Sequence, residues 1–115
     1  MEELNELELI LLKGLTIKYP NLMSHIPFLK VKERRLTATG LDVNLEYINF
    51  DNDDISETNA LFSNGENIQV KGLKDGLGYV IDITVGQITS IEFSTYNNEK
   101  WDGKFVDYKI LENEM

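Results

Sequence analysis

The stretch GLGYVIDITVGQITSIEFSTYNNEKW, Gly76 to Trp101, constrains the fold more than any other part of the chain. Tyr79, Ile81 and Ile83 alternate with Val80, Asp82 and Thr84. Beyond Val85-Gly86, Ile91, Phe93 and Thr95 alternate with Ser90, Glu92 and Ser94. Successive side chains of a strand point to opposite faces, so a period of two excludes a helix here. The pattern predicts two long antiparallel strands joined at Val85-Gly86, each burying one face and wetting the other. A turn near those residues sets Asp82 opposite residue 89 or 90. Most other segments read as cover or extension of this hairpin.

Ahead of it the period differs. Leu4, Leu7, Leu11 and Leu15 recur at three- and four-residue spacing with Ile10 beside them, which predicts an amphipathic helix over residues 2–19. Glu2, Glu3, Glu6 and Glu8 sit toward the positive end of its dipole, Lys13 and Lys18 toward the negative end, and Pro20 stops it. Residues 20–29 predict a second short helix or turn, supplying Leu22, Met23, Ile26, Phe28 and Leu29 to the core. From Val31 the period becomes two, and Leu41, Val43, Leu45 and Tyr47 alternate with Asp42, Asn44 and Glu46. Gly40 divides this region. Thr39-Gly40 is a poor two-residue hairpin loop, so a bulge within one long bent strand is expected. Residues 50–67 read as loop, 68–70 as a short strand and 104–111 as the last strand. The expected fold is α+β, with the N-terminal helical segment packed on a twisted antiparallel sheet of about five strands. The 115 residues form a single domain, 1–115.

Composition excludes several functions. Hydrophobic residues make up 42% and charged residues 27%, as in soluble globular proteins. There is no cysteine, so disulfides, thiolate catalysis and Cys-ligated metals are excluded. The acidic opening MEELNELE is unlike a secretory signal and the run Leu9–Leu12 is too short to span a bilayer, so a cytoplasmic protein is expected. Net charge is −9, and residues 51–115 hold thirteen acids against five bases. That half repels phosphate backbones and anionic membranes, so neither nucleic acid nor a membrane is an expected partner. It suits a basic protein.

Catalytic chemistry has little to work with. His25 is the only histidine, with no nucleophile or metal partner near it in sequence, and reads as structural. GLKDGLG, residues 72–78, is neither a Walker loop nor a dinucleotide fingerprint, and a strand follows it. Asp51, Asp53 and Asp54 resemble the start of a calcium loop but lack its glycine and distal glutamate. The expectation is therefore no enzyme, no metal and no cofactor. Two sets of residues stand out as binding candidates. One joins the acidic loop, Asp51, Asp53, Asp54 and Glu57, to the end of the hairpin, Tyr96, Glu99 and Trp101. Aromatics in a polar turn either anchor a partner or close the end of the core. The alternative is a small-ligand or enzymatic cleft formed by Arg34, Arg35, Asp82 and Glu92, with Glu99 beyond. A third reading is a homo-oligomer paired through the C-terminal strand, whose edge has only Lys104 and Lys109 to protect it.

RRLTATGLDVNLEY supplies an Arg, a Thr-x-x-Gly and an alternating apolar run. VKGLKDGLGYVIDITVGQITSIEFSTYNNEKW supplies a Gly-Leu turn, a Gly-aromatic strand, a glycine turn and a Thr-Tyr-x-x-Glu-x-Trp close. With the helical N-terminus, this resembles a set of small uncharacterised bacterial α+β proteins. The resemblance spans most of the chain, rests on turn and packing residues, and implies the fold and a bacterial origin. The chain departs from that pattern in lacking a proline after Trp101. In size and charge it is also similar to immunity proteins, which neutralise basic toxins by occupying their active sites. That similarity implies a non-catalytic module with an acidic binding surface.

Overall fold

The computed structural model describes residues 2–50 and 58–111. Helix α1 runs Glu6–Lys18, later than the leucine spacing alone suggests. Its start is fixed by a capping box: Asn5 Oδ1 accepts the Glu8 amide and Glu8 Oε1 accepts the Asn5 amide, each at 2.8 Å. Ahead of that cap the chain is extended, and Glu2 exchanges backbone hydrogen bonds with Val31 at 3.2 and 2.8 Å. Leu7, Leu11, Leu12 and Leu15 are buried, whereas Ile10 lies off that stripe at 40% exposure. A 3-10 helix, Pro20–Phe28, follows and buries Leu22 and His25.

Strands β1 (Leu29–Leu36) and β2 (Gly40–Tyr47) form an antiparallel hairpin. This corrects the expectation of one long strand bulged at Gly40. The loop is residues 37–39, closed by Thr37 N–H donating to the Gly40 carbonyl at 2.9 Å. Gly40 is glycine for a different reason: a Cβ there would run into the Phe93 carbonyl of the neighbouring strand. The bulge of this hairpin lies between Val31 and Glu33.

The remaining strands are β3 (Ala60–Phe62), β4 (Asn67–Gln69), β5 (Leu77–Thr84), β6 (Gln87–Thr95) and β7 (Lys109–Leu111). Among the described residues they complete a seven-stranded sheet in the order β1-β2-β6-β5-β4-β7, with β3 also pairing β5. The count exceeds five for two reasons: the 31–47 region is a hairpin, and β3 adds a strand where a loop was expected. β7 is also shorter than the expected 104–111. Every pairing is antiparallel. The β5–β6 hairpin is as its alternation requires, with Asp82 opposite Ser90 and the turn at Val85 (φ 49) and Gly86 (φ 72).

The core lies between α1 and one face of the sheet. Val43, Ile81, Ile83, Ile91 and Phe93, all at or below 1% exposure, share one cluster with the α1 leucines. Burying each such side chain contributes about 2 kcal/mol. No helix among the described residues is long and apolar enough to cross a membrane. After Trp101 the chain turns at Gly103 (φ 80), where a Cβ would press on Leu36 of β1.

Candidate functional site on the open sheet face

Alternation that sends Val43, Ile81 and Ile91 to the core sends their neighbours to the other face. Two cross-strand rows follow from the register. Arg35, Asp42, Glu92 and Val80 form one; Glu33, Asn44, Ser90, Asp82 and Leu61 form the next. Asp42 and Glu92 are therefore direct partners across β2 and β6, with Glu33 and Asp82 in the adjoining row. Arg35 is the one cation within these rows, and its Nη2 lies 3.7 Å from Asp42 Oδ2 with 67% of its side chain exposed. A pair that long and that exposed contributes little. Leu61, 73% exposed, ends its row as an apolar step.

The alternative cleft is not assembled. Arg35, Asp82 and Glu92 share this face, but Arg34 faces the helix. Its Nη2 and Nε donate to Glu8 Oε1 and Oε2 at 2.7 and 3.0 Å, and its Nη1 donates to Glu2. The hydrogen bonds that Arg34 donates to Glu8 raise its pKa, outweighing the lowering by burial. Glu99 is likewise committed elsewhere, its two carboxylate oxygens accepting the Lys74 amide at 3.1 and 2.9 Å. It pins the turn between β4 and β5.

Trp101 is a lid. It is 8% exposed, meets Phe105 edge-on at 5.1 Å, and Phe105 meets Phe93 at the same distance. Its Nε1–H donates to the Lys104 carbonyl at 3.2 Å. A cleft of about 390 Å³ beside it is flanked by Lys71 and Lys100. Of Tyr96, Glu99 and Trp101, only Tyr96 presents an aromatic face to solvent, at 43% exposure. Asp51, Asp53, Asp54 and Glu57 lie outside the described residues.

His25 is structural: it is 4% exposed, with Nδ1 2.9 Å from the Tyr47 hydroxyl, which accepts the Ile88 amide at 2.8 Å. Burial, partly offset by that amide, raises the Tyr47 pKa.

Tyr96 frames a feature that the sequence did not signal. Gly78 lies beneath it, and a Cβ there would come within 2.8 Å of the Tyr96 hydroxyl. The result is a slot of about 280 Å³ whose lining includes Glu66, Gly78, Val80, Glu92, Ser94 and Tyr96. Glu66 Oε1 accepts the Tyr79 hydroxyl at 2.5 Å, and burial followed by this contact holds the Tyr79 phenol protonated far above its usual range. Among the described residues, no three His, Asp or Glu side chains are grouped so as to hold a metal ion. No family model, curated protein or solved structure matches the chain.

Proposed function

We propose that this protein is a non-catalytic binding module that docks a basic protein on its open sheet face, in the manner of an immunity protein. One observation carries the reading: Asp42 and Glu92 oppose each other across β2 and β6, with Glu33 and Asp82 beside them and, among the described residues, only a long contact to Arg35 in compensation. Like charges directly opposite one another on a sheet are destabilising. Folding gains nothing from that arrangement, whereas a cationic partner converts it into attraction and faster encounter. The net charge of −9 adds long-range steering of the same sign.

The reading moves the binding surface away from Trp101 and onto the sheet. The test is growth rescue in a bacterial host expressing a panel of basic toxins, followed by affinity measurement on any toxin that is neutralised. Neutralisation that disappears with Asp42→Lys or Glu92→Lys, and affinity that falls with salt, are expected. A toxin neutralised equally well by both variants at any ionic strength would place the contact elsewhere.

A further inference from the structure

We infer that the slot under Tyr96 is a receptor for one lysine or arginine side chain of the docked partner. The inference rests on the open face being the docking surface, and it names the contact that makes such docking specific.

The slot's size comes first. Sites for whole drug-sized ligands run from roughly 300 Å³ upward and are more enclosed. At about 280 Å³, open along the sheet, this one suits a single long side chain. Its chemistry selects the charge. Glu66 and Glu92 contribute carboxylates, Ser94 a hydroxyl, and no Lys, Arg or His lines it. Glu66 uses Oε1 for Tyr79, and its Oε2 has no hydrogen-bond partner among the described residues. Glu92 forms no ion pair among them either. The Tyr96 ring supplies the negative face that attracts an ammonium or guanidinium. Gly78 and Val80 give a floor along which the methylenes of such a side chain can lie. The cleft beside Trp101 differs in charge, since Lys71 and Lys100 there outnumber the single carboxylate of Asp102.

Gly78 ties the slot to the sequence. A Cβ here would come within 2.8 Å of the Tyr96 hydroxyl, so a larger residue would displace the ring from its place over the strand.

The experiment titrates the full-length, isotope-labelled protein with Nα-acetyl-lysine methylamide and Nα-acetyl-arginine methylamide, using the neutral citrulline analogue as control. Saturable shifts of the Gly78, Ser94 and Tyr96 amides are expected with the cations and not with citrulline. Tyr96→Ala should weaken binding about fivefold, equivalent to a cation–π contact of about 1 kcal/mol. Glu92→Gln should weaken it similarly, and Gly78→Ala should abolish it. Should Gly78→Ala fail to fold, Ser94→Val tests the same wall. Asp42→Lys sets an ammonium opposite Glu92 and should weaken both this titration and a docked basic protein, whereas Tyr96→Ala acts on the slot itself. Shifts spread over all acidic residues without saturation, or equal shifts with citrulline, would overturn the slot. If the slot titration fails while toxin neutralisation still depends on Asp42, the docking reading stands without it.

Discussion

Arg34 on β1 grips Glu8 on α1 with two parallel hydrogen bonds, at 2.7 and 3.0 Å, and so bolts the helix to the sheet. The same carboxylate closes the capping box with Asn5. Glu8 is fully buried, whereas the Arg34 side chain keeps a quarter of its surface in solvent. The two partners are therefore unequal. Arg34→Met strands a buried carboxylate and should lower stability by about 3 kcal/mol. Glu8→Gln leaves Arg34 its contact with Glu2 and access to water, and should lower it by less. Urea unfolding of the two variants gives the order; a reversal would mean that the guanidinium, not the carboxylate, bears the desolvation.

Val85 occupies the left-handed region, φ 49, at the tip of the β5–β6 hairpin. A β-branched side chain there costs about 1–2 kcal/mol, and at 60% exposure it gains little burial in return. Asn is favoured at this turn position, and the Val85 amide can keep its bond to Asn59 Oδ1 because that bond is made by backbone. Val85→Asn should raise stability by about 1 kcal/mol. The check is a higher urea midpoint at unchanged slope.

Tyr79 sets the alkaline limit. Its phenol is raised from the ordinary value of 10.0, first by burial and then by the Glu66 contact. Above pH 10.0 the unfolded chain gives up this proton and the folded chain keeps it. Its contribution is thus complete below that pH and is lost as pH rises beyond it. Tyr47, also raised by burial, adds in the same direction. Stability should fall steeply above about pH 10. Tyr79→Phe should flatten that fall while lowering stability at neutral pH, as Glu66 loses its donor. Urea midpoints from neutral pH to about pH 11 measure both effects.

The β5–β6 hairpin, the leucine face of α1 and the wet-face positions of Asp42, Asp82 and Glu92 were all legible, because each depends on period alone. What period cannot give is pairing between distant strands. Asp42 and Glu92 each read as solvated, and only the β2–β6 register makes them opposite. Alternation alone sets Arg34 and Arg35 on opposite faces of their strand, but which face carries the helix follows only from the packing that joins Arg34 to Glu8. Strands of three residues, such as β3, are too short to show alternation. Gly40 and Gly78 were visible as glycines, but their reasons, the Phe93 carbonyl and the Tyr96 ring, lie in other strands.

The Asp42–Glu92 opposition makes a prediction in which stability and binding move apart. Removing one charge should relieve the repulsion, so Glu92→Gln should stabilise the isolated protein by about 0.5 kcal/mol. The gain should shrink as salt rises, because the face is open to solvent and its charges are screened. Asp42→Asn should gain less, since it also surrenders the Arg35 contact. A residue kept only for the fold would lose stability on substitution; one kept for a cationic partner should gain stability and lose affinity. Thermal unfolding of both variants at low and high ionic strength, set beside their affinity for a neutralised toxin, separates the two cases. If Glu92→Gln is destabilising at low salt, the carboxylate has a structural partner and the docking reading loses its main support.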